Sequence, residues 1–336
     1  MSSLKTNITE ITTALGMLGY RSAADALSTL SSPVANVSVE VWQSLIDAYQ
    51  SAEYNSDFET AFENGRRFLS AKRGLRNRPP IQVEWKGIHR NRGDESLPID
   101  LRIDYVYLIS CKYLSKILHN ASPSRLFEGM LVKTTSIRST DWFYKTAADQ
   151  FEELYKVSVQ ACQLADHSMP GSVAHLKADH RKLIKYHQPK TWPDDVQSAY
   201  RNLCEQVSTV TAAIWNQALG NKLSRVAFLW RMLRFGAAPY YILGSAPKIS
   251  HHLMVVTPWD WDHHYQLLEF EIVPAPAGQP TVNWHAHILD KQAAQTTEIK
   301  GHVEIRWSHG RFSGPPEAKV YLDSDFASVP GYWPIE

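Results

Sequence analysis

Between residues 66 and 112 the chain gathers the side chains that metal-assisted hydrolysis of a phosphodiester uses. Acids stand at Glu84, Asp100 and Asp104, and Ser110-Cys111-Lys112 closes the stretch. Cutting a phosphodiester calls for a divalent cation that polarises the phosphoryl oxygen and lowers the pKa of a bound water. A hard cation such as Mg²⁺ takes oxygen ligands, typically one or two carboxylates completed by water and phosphate. A lysine nearby orients the attacking water or neutralises developing charge. Upstream, residues 66–92 hold nine basic side chains (Arg66, Arg67, Lys72, Arg73, Arg76, Arg78, Lys86, Arg90, Arg92) against one acid, Glu84. That excess suits a phosphate backbone, which releases counterions when it is neutralised. The plainer reading is a solvated basic face, with aspartates that cap turns or pair with Arg102 and a lysine that snorkels from an edge strand.

Pro98-Ile99-Asp100 followed by Ile109-Ser110-Cys111-Lys112-Tyr113 resembles the PD-(D/E)XK nuclease superfamily, to which many restriction endonucleases belong. That motif is an aspartate at a strand start, then an acid-any-lysine triplet on the neighbouring strand of a hairpin. Ser110 departs from it by standing where the family has Asp or Glu. Members that tolerate serine there draw the missing metal ligand from another carboxylate, and Glu84 is the obvious source. The resemblance covers a small part of the chain and implies a restriction-endonuclease-like core. Its catalytic set would be Glu84, Asp100, Asp104, Ser110 and Lys112, with Glu84, Asp100 and Asp104 as ligands of Mg²⁺, for which Mn²⁺ can substitute. The substrate would be DNA, gripped by Arg66, Arg67, Arg73, Arg76, Arg78 and Lys86. A place in restriction or antiviral defence would follow, as a homodimer or with a defence-system partner protein. Two alternatives stand beside it: a nuclease acting on RNA, and a non-catalytic nucleic-acid-binding or assembly subunit.

The elements must bring these residues together. Strand alternation puts Ser110 and Lys112 on one face, and Asp104 shares their parity. In one straight strand, however, Asp104 would sit about 26 Å from Lys112 at roughly 3.3 Å per residue. Asp100 could join them only if the chain reversed near Asp104-Tyr105, which is poor turn chemistry. Residues 103–113, rich in β-branched and aromatic side chains, instead read as a single strand.

The pattern as a whole predicts a mixed α/β (α+β) fold. A helical N-terminal region (1–80) precedes the nuclease-core strands (81–140), whose first strand is the alternating Ile81-Gln82-Val83-Glu84-Trp85. A helical region (141–245) follows, with Tyr200, Leu203, Val207, Val210 and Ile214 spaced along one helix face. From residue 246 to 336 the period becomes two, as at Val282, Trp284, Ala286 and Ile288, and predicts an antiparallel β-rich region.

Other chemistry-bearing residues carry less. Glu84-Trp85-Lys86 and Glu317-Ala318-Lys319 repeat the acid-any-lysine form, but only Asp57 and similarly weak preceding residues could supply an aspartate to the first. His285 and His287 have metal-ligand spacing on one strand face, with Asp290 or His302 as a third ligand, although a polar sheet face explains them as well. Trp259, Trp261 and Tyr265 could stack bases, with core packing the stronger reading. Cys111 points away from Lys112 and reads as a small core residue.

Composition sets the frame. The 336 residues are 44% hydrophobic and 21% charged, as in ordinary globular proteins, which excludes disordered, collagen-like and coiled-coil classes. Lys plus Arg total 35 against 34 acids, so a nucleic-acid partner must be held by a local patch. Three separated cysteines make no disulfide framework and no zinc ribbon. Without a signal-peptide pattern or a spanning apolar run, a cytoplasmic protein with no membrane partner is expected.

Overall fold

The computed structural model describes residues 3–87, 97–112, 116–124, 126, 141–165, 167–246, 249–276 and 278–336. Four helices open the chain: α1 (Leu4–Met17), α2 (Ala23–Leu27), α3 (Val39–Gln50) and α4 (Asn55–Ser70). Strands β1 (Val83–Trp85), β2 (Leu101–Ile103), β3 (Tyr107–Lys112) and β4 (Ile117–Ala121) follow. Further helices run over Trp142–Ala161, Ala178–His187, Asp194–Ala218 and Lys222–Met232. Then come β5 (Tyr240–Ala246), β6 (Ile249–Val255), a short helix (Pro258–His264), β7 (Tyr265–Pro274), β8 (Thr281–Asp290), β9 (Gln295–Arg306), β10 (Glu317–Leu322) and β11 (Tyr332–Pro334). The class is mixed α/β with two sheets. Two compact units share the chain, and each draws on separated stretches: Met1–Ser115, Arg234–Tyr265 and Asp325–Glu336 in one, Lys116–Leu233 and Gln266–Ser324 in the other. Among the described residues no helix is long and apolar enough to cross a membrane.

The first unit is built on the sheet β1-β2-β3-β5-β6-β11. Neighbours in it are antiparallel except β3 and β5, which run parallel. Val83, Trp85, Leu101, Ile103, Ile109, Tyr241 and Leu243 project from one face into a core shared with Ile8, Ile11, Leu15, Leu45, Phe58 and Phe68 of the helices. Burial of such side chains contributes about 1.5–3 kcal/mol each, which is what holds the helical layer on the sheet. Ser3 starts α1 by accepting the Thr6 amide, satisfying one of the donors a helix start leaves open. Where α1 meets α4 the backbones touch at Gly16 and Gly65. A Cβ on Gly16 would run into the Phe62 carbonyl, and one on Gly65 into that of Thr13.

The expected single strand over residues 103–113 is corrected here. The chain reverses at Asp104-Tyr105, whose φ angles are 48° and 60°. The Val106 amide closes the turn on the Ile103 carbonyl at 3.0 Å. Asp104 makes this affordable: aspartate tolerates the left-handed region better than most residues, and its Oδ1 accepts the amides of Ile81 and Gln82, each at 2.8 Å. β2 and β3 then form a ladder with Leu101 opposite Ile109 and Ile103 opposite Tyr107. β5 is a second correction, since it lies inside the stretch read as helical. Tyr240-Tyr241-Ile242-Leu243 is a short apolar run, which periodicity cannot tell from a buried helix segment.

In the second unit the antiparallel sheet β4-β10-β9-β8-β7 has one buried face. Val282, Trp284, Ala286 and Ile288 of β8 are fully buried, as are Ile299, Val303 and Ile305 of β9. The helix Asp194–Ala218 adds Leu203, Val207, Thr211 and Trp215 to the buried set.

Candidate active site

Asp100 stands at the entrance to β2, and the hairpin places it beside the triplet of β3. Its own amide donates to the Ile109 carbonyl at 2.8 Å, and its carbonyl accepts the Lys86 amide at 2.8 Å, so the backbone is tied on both sides. Its carboxylate Oδ2 accepts the Cys111 amide at 2.7 Å and the Ser110 hydroxyl at 3.5 Å. Ser110 is 1% exposed and pairs with Ile242 of β5. Lys112 ends β3 opposite Gly244, and its side chain lies outside what the structure describes. Cys111 packs against the helical core, on the face expected of it.

Glu84 pairs with Arg102 across β1 and β2. Its Oε2 accepts the Arg102 Nε at 2.6 Å and meets Nη2 at the same distance, while Oε1 accepts from Gln82 at 3.0 Å. Glu84 is 8% exposed and Lys86 is 5% exposed. Asp100 is one diagonal step from Glu84, about 7–8 Å between backbones. By alternation Glu84, Lys86, Asp100, Arg102 and Ser110 occupy the sheet face opposite the helical layer.

This arrangement contains something the sequence order concealed. Asp100 lies on the middle strand of three, with Glu84-Trp85-Lys86 on one neighbour and Ser110-Cys111-Lys112 on the other. Chain order offers Asp57 as the aspartate of the first triplet, whereas strand pairing brings Asp100 to it from downstream. Lys86 is accordingly a buried member of this face and not part of an exposed basic grip. The signal that could have found it is the triplet itself, since any acid-any-lysine strand next to Asp100 meets the same spatial requirement.

Asp104 is not part of the cluster. It sits at the far end of the hairpin, about 13 Å along the strand from Asp100 at roughly 3.3 Å per residue, and its carboxylate is committed to the turn. Arg66, Arg67, Arg73, Arg76 and Arg78 are exposed, but they come from α4 and the segment after it, whose Phe68, Ala71 and Leu75 pack into the helical core. Arg67 pairs with Glu63 at 3.3 Å, and the Arg73 guanidinium lies 5.1 Å over the Trp333 ring. Burial and the neighbouring Tyr107 hydroxyl push the Tyr241 hydroxyl up in pKa, opposed by the charges of Arg73 and Arg76. Arg73 and Arg76 therefore lie within electrostatic reach of Tyr241, near the start of β5. Arg90 and Arg92 lie outside the described residues.

The donor set can be tested against Mg²⁺. Among the described residues no three His, Cys, Asp or Glu side chains converge as a metal-holding group. Among the described residues of this face the carboxylates are Asp100 and Glu84, and a cation that keeps most of its waters and takes further ligands from phosphate would ask for no more than that.

The histidines of the second unit face acids. His285 and His287 lie 3.4 and 3.9 Å from Glu298, and His302 lies 2.9 Å from Asp323. His302 also stacks on Tyr321 at 4.6 Å between ring centres. This is the polar face of a sheet whose other side is core. Trp261 is buried and donates to the Pro330 carbonyl at 3.0 Å, whereas Trp259 is exposed on the same short helix. Compared with protein-family models, curated proteins and solved structures, the chain matches none.

Proposed function

We propose that the protein is a divalent-metal-dependent endonuclease acting on DNA, with Asp100 at the centre of its active site. The observation that carries this reading is the closure of the β2–β3 hairpin, which seats the Asp100 carboxylate on the Cys111 amide at 2.7 Å, beside Ser110 and one strand-step from Lys112. That is the juxtaposition the resemblance to PD-(D/E)XK nucleases calls for, and it would mark the sheet as a restriction-endonuclease-like core. Mg²⁺ bound at Asp100 would polarise the scissile phosphate and acidify a water.

The chain's own residues divide the remaining work. The Cys111 amide and the Ser110 hydroxyl fix the orientation of the Asp100 carboxylate, so one oxygen edge is pre-set before substrate arrives. Lys112 orients the water or offsets charge that develops on the phosphate. Glu84 neutralises Arg102 and keeps it extended along the face, and Lys86 brings a second positive charge opposite Asp100. Arg66, Arg67, Arg73, Arg76 and Arg78 contact the phosphate backbone without reading sequence. A role in restriction or antiviral defence is the biological setting this chemistry suits.

The test is incubation of purified protein with supercoiled plasmid in Mg²⁺. Nicking that stops in EDTA and returns with Mn²⁺ supports the reading. Tight plasmid binding with no nicking in either metal would leave a non-catalytic binding subunit in its place, and cleavage confined to RNA would move the substrate.

A further inference from the structure

We infer that the β2–β3 turn is an apolar wedge that inserts between base pairs of duplex DNA, a proposal that rests on the nuclease reading for its partner and adds how that partner is held. Three large apolar side chains stand in the open at this tip: Ile81 is 98% exposed, Tyr105 is 66% exposed and Val106 is 72% exposed. Their backbones are tied together, because the Asp104 carboxylate at the turn binds the amides of Ile81 and Gln82. A protein that left them there without purpose would bear an aggregation-prone tip.

The backbone beneath the tip is unusual. Asp104 and Tyr105 have φ of 48° and 60°, and Arg76 and Asn77, at the same end of the sheet, have 54° and 60°. At Asp104-Tyr105 positive φ at both central positions is the twist that suits a tight hairpin, so the tip is a firmly shaped projection.

The flanking charge selects the occupant. The Arg102 guanidinium lies 5.1 Å over the Tyr105 ring but its charge is matched by Glu84, so the selecting charge is that of exposed Arg76 and Arg78. Arg78 precedes Ile81 by the two residues Pro79-Pro80, and the charges of Arg73 and Arg76 reach Tyr241 at the same sheet end. Apolar residues rimmed by arginines fit a polyanion with a stacked apolar interior, which is what a DNA duplex offers. Wedges of this composition unstack a base step and bend the duplex around the protein. The geometry also reconciles the two halves of the site: a duplex wedged at Tyr105 and held by Arg76 and Arg78 runs back along the hairpin and reaches Asp100 about 13 Å away.

The experiment uses a short duplex carrying 2-aminopurine at a central TA step, bound in Ca²⁺ to the full-length protein. Wild type is expected to raise the 2-aminopurine fluorescence, as unstacking does. The Tyr105→Gly, Val106→Ser double variant places glycine at a φ of 60°, which glycine adopts freely, and, once shown folded by its melting curve, should lose that rise and bind about tenfold more weakly. Arg76→Ala with Arg78→Ala should weaken binding but keep the full rise once saturated. Undiminished fluorescence and affinity in the tip variant overturn the wedge, even if wild type nicks plasmid normally. A tip variant that keeps the rise but loses self-association assigns the tip to a second copy and also overturns it. A wild type that unstacks the duplex yet never cuts it refutes the nuclease reading and leaves the wedge standing.

Discussion

Two aspartates four residues apart on one hairpin make opposite predictions for the same conservative change. The Asp104 Oδ1 accepts two backbone amides, those of Ile81 and Gln82, each at 2.8 Å. Hydrogen bonds to a charged acceptor contribute about 1.5–3 kcal/mol each. The amide of exposed Ile81 regains water when the acceptor is removed, so Asp104→Ala should lose about 2–4 kcal/mol from the bonds. Alanine at a φ of 48° adds roughly 1–2 kcal/mol of backbone strain. Asp104→Asn differs in kind. Its amide oxygen can accept both bonds in the same place and asparagine favours the left-handed region, so its cost should stay below about 1 kcal/mol. Urea unfolding followed by tryptophan fluorescence reads these differences as a shift in midpoint. Nicking of plasmid well below the transition reads catalysis. Both Asp104 variants should nick at wild-type rate while folded. An Asp104→Asn protein that is as stable as wild type yet nicks ten times more slowly would show that Asp104 binds the metal and that the turn assignment is incomplete.

Three further expectations come from the same structure. His252 is buried against Asn64 at 3.0 Å, and burial, with the Arg67 charge adding to it, pulls its pKa from 6.5 down to about 4. Its folded pKa lies below the unfolded one, so its contribution is whole above about pH 6.5 and is lost as pH falls towards 4, by up to about 3 kcal/mol. His252→Gln should flatten that limb in pH-dependent urea unfolding relative to wild type, and an unchanged slope would refute the burial argument. Gly65→Ala should destabilise by roughly 3 kcal/mol or more in the same assay, since the new methyl meets the Thr13 carbonyl and neither helix backbone can yield. Arg73→Ala with Arg76→Ala should weaken binding to all DNA sequences alike and lower the salt slope by up to about two, measured by titration across salt concentrations. A loss confined to one sequence would mean that these arginines read bases.

Much of the first unit's content was legible because its signals are local. A strand forms where Val83 and Trp85 supply apolar side chains and Cys111 takes the buried face by parity, although α4 already ends at Ser70, before Pro79-Pro80, and Glu84 is buried with its neighbours rather than alternating with them. The turn at Asp104-Tyr105 was not legible, because its stabilisation comes from the amides of Ile81 and Gln82, more than twenty residues away in the chain. That one tertiary contact decides whether Asp100 can reach Ser110. The place of Lys86 was hidden for a related reason: strand order in a sheet ignores chain order, so a basic residue counted with its exposed neighbours turned out to face Asp100. The arginines were recognised by type, but their relation to the carboxylates depends on how α4 packs, which charge counting cannot supply.

If Asp100 organises the chemistry as proposed, single-turnover nicking of plasmid in Mg²⁺ should depend on its carboxylate, and Asp100→Asn removes that charge alone. The asparagine oxygen can still accept the Cys111 amide, so the fold should hold and the unfolding midpoint should move little. Nicking should fall at least about a hundredfold while DNA binding in Ca²⁺ is kept, as loss of a metal-binding charge from an active site requires. An Asp100→Asn protein that nicks at the wild-type rate would contradict it.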